Sequence, residues 1–382
     1  MPSSSKLGTI PVRLNPNRHT ALNTVDFIPE RNILMPSSKG YAAQSAESPL
    51  VPHAFSRRDP GATELTIDIL FCGVCHSDLH MARNEWGNAP YPFVPGHEIV
   101  GRVSAVGHAV TKFKAGDIAA VGVIIDSCRH CLPCGRGEEH FCAEGATLTY
   151  AAKDRVDGSM TMGGYSNNYV VDERFAHTVP ANLDLAAVAP LLCAGITTYS
   201  PLRHWGAGPG KKVGIVGLGG LGHMALKFAH SFGAHVVQFT TNARKREDAI
   251  KLGADEVVVS TDPTQMNAHK ASFDFILDCV SAPHKLDDYL PLLKQDSTLA
   301  LVGLPPEPPS FAPFNLIGGR KSIAGSMIGG MPETQAMLDY CGEHNIVSEV
   351  EVIPIQQINV AFERMLKQDV KYRFVIDMSS LA

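Results

Sequence analysis

Four cysteines in a short segment are the first residues of this sequence whose types and spacing could do chemistry. Cys128, Cys131, Cys134 and Cys142 follow the pattern C-x2-C-x2-C-x7-C. Thiolates separated by two residues on one loop can converge on a tetrahedral Zn²⁺ ion, and a complete set of four leaves no position for water or substrate. An iron–sulfur cluster is the alternative, because four thiolates also bind those clusters. The tight spacing favours a structural zinc site.

A glycine-rich segment has the spacing G-x-G-x-x-G. It follows the apolar run KKVGIVG and opens the helical pattern GLGHMALKFAHSF, the context in which this spacing binds a dinucleotide rather than forming an ordinary turn. The three glycines permit a tight turn, close approach of a pyrophosphate and close packing of the helix, whose free N–H groups bind phosphate. The candidate contacts are Gly217, Leu218, Gly219, Gly220, Leu221 and Gly222.

The end of the next predicted strand indicates which dinucleotide is bound. An NAD site places Asp or Glu there to bond the ribose hydroxyls. This chain has Thr240, Thr241 and Asn242, followed by Arg244 and Lys245. A carboxylate would repel a 2′-phosphate, whereas hydroxyls, an amide and cations would bind it. The pattern predicts NADP(H), although some of the basic residues could simply form a solvated helix face.

Three further candidate ligands are far apart in the sequence. Cys75 lies in CGVCHSDLH, His97 in PGHEIVG and Cys193 in APLLCAGITTYSPL. Their spacing alone does not show that they converge, because a lone Cys or His is more often a core residue than a ligand. If they do meet, two thiolates and an imidazole would form a catalytic zinc site with an open fourth position.

These residues must be positioned by two kinds of structure. From residue 64 to about 179 the pattern predicts short strands with Gly/Pro turns, and after residue 185 predicted strands alternate with helices. Such alternation is typical of a parallel sheet covered on both faces. The chain is therefore predicted to be an α/β protein, with one domain from 41–184 and 329–382 and an inserted dinucleotide-binding domain from 185–328.

The first 40 residues lack helical or strand periodicity and have basic residues before the first acid, Asp26. This composition resembles an organelle-targeting leader. However, Pro2, Pro11 and Pro16 would interrupt an amphipathic helix, so residues 1–40 are predicted to be a disordered extension, or to reflect a start upstream of Met35.

Composition excludes several classes of protein. The 382 residues are 45% hydrophobic and 19% charged, which is typical of a globular chain and not of a disordered one. The net charge of −5 gives no indication of a nucleic-acid or anionic-membrane partner. The apolar stretch 185–202 contains Pro190, Gly195 and Pro201, so it is a poor membrane helix, and no signal-peptide core is present near Met1. We therefore expect a cytoplasmic protein.

Taken together, the motifs resemble a known family. The segments LLCAGITTYSPLRHWGAGPGKKVGIVGLGGLGHMALKFAH, IAGSMIGG, PETQ and DVKYRFVID are similar to the zinc-dependent medium-chain alcohol dehydrogenases, and within them to the cinnamyl-alcohol-dehydrogenase-like, NADP-dependent aldehyde reductases. The resemblance extends from about Leu50 to the C-terminus. It implies a GroES-like β-rich catalytic domain, split in sequence, and a Rossmann domain. The first strand of the family would fall in the unmatched front end.

The resemblance assigns roles to particular residues. It implies that Cys75, His97 and Cys193 bind the catalytic zinc and that Asp78 orients the His97 imidazole. Glu98 matches an acidic residue that can approach the metal, with a hydrogen-bonding role outside the ligand shell as the alternative. Further matches are Ser77 and His80 as a proton relay, His76 at the pyrophosphate, Thr197 beside the nicotinamide, and Gly303, Ser326 and Ile328 along the cofactor cleft.

The activity implied by the resemblance is reversible, NADPH-linked reduction of a small aldehyde to a primary alcohol, with two Zn²⁺ per chain. The family commonly forms homodimers through the edge strands of the Rossmann domain. A zinc-free quinone reductase of the same fold, a non-catalytic NADPH-binding protein and a polyol dehydrogenase remain as alternatives.

Overall fold

A computed structural model of the chain describes residues 37–381. The strands are β1 (Ser37–Ala42), β2 (Val51–Ser56), β3 (Glu64–Val74), β4 (Ile99–Val106), β5 (Ile118–Val121), β6 (Ile124–Asp126), β7 (Thr147–Leu148), β8 (Asn168–Asp172), β9 (His177–Thr178), β10 (Lys212–Val216), β11 (His235–Thr240), β12 (Glu256–Val259), β13 (Phe273–Asp278), β14 (Leu293–Leu301), β15 (Ser322–Gly325), β16 (Val350–Pro354) and β17 (Arg373–Asp377).

The α-helices lie between these strands. They are α1 (His76–Ala82), α2 (Leu132–Gly135), α3 (Leu185–Val188), α4 (Ala194–His204), α5 (Gly222–Ser231), α6 (Arg246–Lys251), α7 (Pro263–Ala268), α8 (Phe314–Ile317), α9 (Met331–His344) and α10 (Ile358–Leu366).

A six-stranded parallel sheet forms one half of the described chain. Its strand order is β12-β11-β10-β13-β14-β15, and every neighbouring pair is parallel. Parallel neighbours need crossover connections, which is why the sequence alternates apolar strands with helical segments. The strand order reverses beside β10, and ligands of such sheets bind at the carboxyl ends of the strands at this point. The predicted Rossmann sheet is confirmed.

A seven-stranded sheet forms the other half. Its order is β16-β17-β3-β4-β5-β9, with β8 also paired to β3. Strand β17 is antiparallel to β3, so the last strand of the described residues completes a sheet that β3 begins. The predicted GroES-like domain, split in sequence, is therefore confirmed. The predicted limits 184/185 and 328/329 fall outside the strands of both sheets and stay a prediction.

The front end differs from the sequence prediction. Strands β1 and β2 pair antiparallel, with Gly40 opposite His53, and Tyr41 N donates to Tyr165 O at 2.9 Å. The predicted extension was therefore wrong for residues 37–40, which pair as a strand despite their polar composition. Residues 1–36, including the predicted leader, lie outside the described part of the chain.

Over residues 37–381, no single helix is long and apolar enough to cross a membrane. The bent pair Leu185–Leu192 and Ala194–His204 meets a length and composition criterion only, with an angle of 57° between its halves. Most residues of this pair are buried in the protein core, as expected for the core helix of a globular protein.

Candidate active site

Cys75, His97 and Cys193 converge, although 118 residues separate the two cysteines. Cys75 precedes α1 at the end of β3, His97 precedes β4 and Cys193 precedes α4. The two Sγ atoms lie 4.0 Å apart, and one ligand atom from each residue, together with a Glu98 oxygen, lies within 4.8 Å of the others. We call these three residues the three-ligand cluster. The sheet and the starts of two helices bring the three residues together, which the sequence spacing could not show.

Asp78 orients this cluster from a fully buried position. Its Oδ1 accepts hydrogen bonds from Gly96 N and His97 Nδ1, both at 3.0 Å, and its Oδ2 accepts from Cys75 N at 2.9 Å. A fourth bond comes from the hydroxyl of Tyr165, also fully buried, at 3.0 Å. Because Nδ1 of His97 is used by Asp78, Nε2 is the nitrogen left to bind a metal.

The electrostatics favour a thiolate at Cys75. A hydrogen bond from Cys193 holds the pKa of Cys75 well below its usual value, against the effect of burial and with help from the His97 and Arg373 charges. Thiolates, not thiols, bind metals.

Glu98 and Arg373 form a buried ion pair beside the cluster. Arg373 Nη2 donates to Glu98 Oε1 and, at 2.9 Å, to Val74 O. The other carboxylate oxygen, Oε2, is buried without a hydrogen-bond partner among the described residues. Burial raises the pKa of Glu98 to about 7, although the Arg373 guanidinium opposes this effect. Glu98 thus has one paired oxygen and one free oxygen. The paired oxygen suits a hydrogen-bonding role outside the ligand shell, and the free oxygen suits an approach to the metal.

The donor set fits zinc. Two sulfurs and one imidazole are ligands that Zn²⁺ prefers, and three protein ligands leave a position for substrate. One oxygen of the Glu98 carboxylate also lies within 4.8 Å of the ligand atoms of these three residues, and its Oε2 has no hydrogen-bond partner among the described residues. A buried oxygen without a partner is costly unless a cation or water satisfies it.

The four cysteines predicted to bind a second metal also converge, with sulfur atoms within 4.8 Å of one another. Backbone N–H groups donate to the sulfurs, from Cys128 to Cys142, from Cys131 to Cys128 and from Ala143 to Cys131, each at 3.4 Å. The Ala143 bond is the main cause that lowers the pKa of Cys131 to about 6. We call these residues the four-cysteine cluster.

Residues 217–222 form a turn between β10 and α5, which we call the glycine turn. Gly217 has a φ of +86°, a conformation that glycine adopts without strain. A Cβ on Gly222 would lie 2.0 Å from Gly217 O, so only glycine lets the helix begin so close to the strand. A Cβ on Gly219 would meet no atom of residues 37–381 within 4 Å, which leaves an open face for a ligand. Gly220 packs against Arg373, which connects the turn to the three-ligand cluster.

The residues predicted to bind a 2′-phosphate lie at the end of β11. Thr240 Oγ1 accepts from Asn242 N at 3.2 Å, and Asn242 Oδ1 accepts from Arg244 N at 3.0 Å. Thr241 and Arg244 are exposed. Lys245, in contrast, donates to Leu218 O at 3.1 Å and to Gln368 Oε1 at 3.3 Å, so its ammonium group is used by the glycine turn.

The other predicted cofactor residues have distinct surroundings. Thr197 is buried one helical turn after Cys193, and within residues 37–381 its hydroxyl makes no hydrogen bond, whereas that of Thr198 is bonded to Ala194 O and Gly195 O. A Cβ on Gly303 would lie 2.2 Å from Val280 O, and Ser326 N donates to Leu301 O at 3.2 Å. Ile328 has a φ of +39°, which is strained for a β-branched residue.

The predicted proton relay is not joined in the structure. His80 Nδ1 lies 2.5 Å from Glu85 Oε2, and no hydrogen bond joins Ser77 to His80 among the described residues. His76 is exposed at the start of α1, and its ring lies 6.1 Å from that of His80. The relay stays a prediction. Tyr165, Arg373 and Glu85 are site residues that sequence reasoning missed.

Comparison with known proteins gives matches along most of the chain. A family model described as "Alcohol dehydrogenase GroES-like domain" matches residues 61–181, and one described as "Zinc-binding dehydrogenase" matches residues 220–343. An aldehyde reductase of Escherichia coli, YahK, is 58% identical over 90% of this chain and 99% of its own. An NADP-dependent alcohol dehydrogenase C of Mycolicibacterium smegmatis is 51% identical over 91% and 99%.

Two solved structures are also similar. A cinnamyl alcohol dehydrogenase of Sorghum bicolor superposes with a TM-score of 0.88 at 47% identity, covering 91% of this chain and 99% of that one. The corresponding Helicobacter pylori protein, complexed with NADP(H), gives a TM-score of 0.86 at 44% identity with the same coverage.

Proposed function

Because the chain belongs to the zinc-dependent medium-chain alcohol dehydrogenases of the cinnamyl-alcohol-dehydrogenase-like type, we propose that it reduces aldehydes reversibly to primary alcohols with NADPH. The observation that carries this proposal is the convergence of Cys75, His97 and Cys193 next to the glycine turn. The three ligands supply the donors for a metal, and the glycine turn supplies an open phosphate-binding surface. Arg373 connects the two.

The three-ligand cluster would bind the catalytic zinc, which supplies Lewis-acid polarisation of a carbonyl when bound. Asp78 keeps Nε2 of His97 directed at the metal site by bonding Nδ1. Glu98 balances the charge of Arg373 through one oxygen, and its second oxygen is free to accept a hydrogen bond from exchanging water. The four-cysteine cluster would bind a second, structural zinc, because it offers no open position.

The glycine turn would bind the pyrophosphate of NADPH, which supplies the hydride when bound. The exposed Arg244, with Thr240, Thr241 and Asn242, would bind the 2′-phosphate. Lys245 contributes differently, since its bond to Leu218 O places a positive charge against the turn. Thr197, whose hydroxyl makes no hydrogen bond to another described residue, would contact the nicotinamide.

Proton transfer would use Ser77 and His80. Because Nδ1 of His80 is bonded to Glu85, Nε2 is the nitrogen available to exchange a proton with the Ser77 hydroxyl. The carboxylate of Glu85 would stabilise the imidazolium that forms, and His80 is only half-buried, so the proton can continue to solvent.

The test combines kinetics with metal analysis on one purified sample. We expect two zinc ions per chain, faster reduction of benzaldehyde, cinnamaldehyde and short aliphatic aldehydes with NADPH than with NADH, and loss of one zinc and of activity in Cys75→Ser. Arg244→Ala should raise KM for NADPH about tenfold, the effect of a lost charged hydrogen bond, and leave KM for NADH unchanged.

The alternatives give different results in the same test. A single zinc per chain in the wild type, held by the four-cysteine cluster, would favour a quinone reductase of the same fold that has no catalytic zinc. Two zinc ions with NADPH binding but no turnover across the aldehyde panel would favour a binding protein. Equal effects of Arg244→Ala on both cofactors would contradict the NADP assignment.

We further propose that the chain forms a homodimer through β15, the edge strand of the six-stranded sheet. The segment before this strand exposes large apolar side chains, with exposed fractions of 62% for Leu304, 77% for Phe314 and 73% for Ile317. Exposed apolar residues beside an unpaired strand edge are typical of protein interfaces. We propose that the protein is located in the cytoplasm. Apart from a second copy of the chain, its proposed partner is a small-molecule substrate, and neither nucleic acid nor a membrane is proposed as a partner.

A further inference from the structure

His223 is a buried histidine that the mechanism above does not use. It lies in the first turn of α5, immediately after the glycine turn, and is 0% exposed. Its Nδ1 lies 3.2 Å from Gly219 O, and its Nε2 lies 3.0 Å from Ser348 Oγ. Its ring stacks on Tyr372 with centroids 5.1 Å apart and planes 15° apart. Both nitrogens and the ring face therefore have partners.

The partners fix the protonation state of this imidazole. A carbonyl oxygen only accepts, so Nδ1 carries the hydrogen, and in the neutral ring Nε2 accepts from the Ser348 hydroxyl. That hydroxyl is also 3.5 Å from Glu349 O, but the contact with His223 is shorter. Burial lowers the pKa of His223 to about 3, and the Arg373 and Lys227 charges act in the same direction. The ring is therefore neutral near pH 7.

The Nδ1–H bond acts on the orientation of one peptide unit in the glycine turn. Gly219 O also accepts from the backbone N–H of His223 at 3.0 Å, so this carbonyl has two donors from one residue. In a planar trans peptide the C=O of Gly219 and the N–H of Gly220 point in opposite directions. Fixing the carbonyl toward His223 therefore fixes the Gly220 N–H away from the helix, where N–H groups bind phosphate.

The other face of His223 contacts the C-terminal segment. Tyr372 N donates to Glu349 O at 3.0 Å, which connects Tyr372, stacked on the imidazole, to the residue that follows Ser348. The residue after Tyr372 is Arg373, whose side chain packs on Gly220 and bonds Glu98. The imidazole thus lies between the glycine turn and the segment that delivers Arg373 to the three-ligand cluster.

We propose that His223 is a positioning residue for the dinucleotide, which orients the Gly219–Gly220 peptide for the pyrophosphate and keeps the glycine turn in register with Arg373. The proposal rests on the proposed function in one respect, that the glycine turn binds NADPH. His223 itself does not need to touch the cofactor.

The experiment compares NADPH dissociation constants, measured by nucleotide fluorescence on zinc-loaded protein, for the wild type, His223→Leu and His223→Asn. His223→Leu should raise the dissociation constant about tenfold, the effect of one lost hydrogen bond to Gly219 O. At saturating NADPH its kcat should stay near the wild-type value. His223→Asn should restore most of the affinity, because its amide N–H can replace Nδ1–H.

His177 provides a matched control. It is another buried histidine, 2% exposed, with a pKa lowered to about 3 by burial, and it lies in β9 of the seven-stranded sheet. His177→Leu should lower Tm without changing the NADPH dissociation constant. If His223→Leu does not fold, Ser348→Ala replaces it, because it removes the donor to Nε2, and it should weaken NADPH binding in the same direction.

The outcomes separate the two proposals. A wild-type protein that does not bind NADPH would overturn the proposed function and this inference with it. A wild type that binds NADPH, with equal dissociation constants for His223→Leu and His177→Leu, would overturn this inference alone. So would failure of His223→Asn to bind NADPH more tightly than His223→Leu.

Discussion

At the scale of single residues, Asp78 determines the geometry of the three-ligand cluster. Its carboxylate accepts four hydrogen bonds from three parts of the chain: Cys75, the neighbours Gly96 and His97, and Tyr165, which is 87 residues away. Together these bonds fix the orientation of the carboxylate. A group that bonds a metal ligand in this way affects metal affinity without touching the metal.

Tyr165→Phe tests this arrangement, because it removes one hydroxyl and keeps the ring that packs against Gly96. We expect the affinity of the three-ligand cluster for zinc to fall about tenfold, the lower end of the range for residues that support metal ligands. Competition with a chromophoric chelator measures this affinity, with total zinc measured in parallel.

The four-cysteine cluster is an internal control for this measurement, because Tyr165 contributes no hydrogen bond to it. Its zinc should dissociate at the wild-type rate. Equal loss from both sites would indicate general destabilisation, and unchanged affinity at both would show that Asp78 does not need the tyrosine hydroxyl.

At the scale of elements, the glycines of the glycine turn are required for two different reasons: packing within the protein and space for the ligand. Gly222 is required by the protein itself, since its position against Gly217 O has no room for a side chain. Gly219 faces open space, so no described residue excludes a methyl group there. The space at Gly219 is required by the ligand.

Alanine substitutions at the two positions should therefore give different results. Gly219→Ala should keep the wild-type Tm and lose NADPH binding, because its methyl group occupies the approach of the pyrophosphate. Gly222→Ala should lose NADPH binding and also lower Tm, because α5 must move away from β10. Thermal unfolding and NADPH titration of both variants check this, and normal NADPH binding by Gly219→Ala would contradict it.

Sequence information predicted those parts of the site whose geometry is local. The four-cysteine spacing and the glycine spacing each fix their own shape within a loop, so they could be read directly. Cys75, His97 and Cys193 could be named as candidate ligands from their residue types, but only the family resemblance predicted that they converge, because sheet pairing determines their proximity. Arg373 pairs with Glu98 over 275 residues, and no local pattern marks an arginine in a buried strand as the partner of a carboxylate.

At the scale of the whole molecule, the proposed homodimer depends on the segment before β15. Phe314→Glu should shift wild-type dimers to monomers, because a charge on the proposed interface must be desolvated. Sedimentation equilibrium measures the change. Val156→Glu is the matched control, since Val156 is 63% exposed in the other half of the molecule. A monomeric wild type, or equal shifts in both variants, would contradict the proposal.

The position of β17 beside β3 has a consequence for the order in which the protein is made. Arg373 bonds Val74 O across 299 residues, so an edge of β3 emerges from the ribosome long before its partner strand has been translated. At about 5–20 residues per second this interval lasts roughly 15–60 s. During that time an unpaired strand edge is available for incorrect pairing. A nascent chain therefore cannot form the Glu98 ion pair until 275 further residues, up to Arg373, have been added.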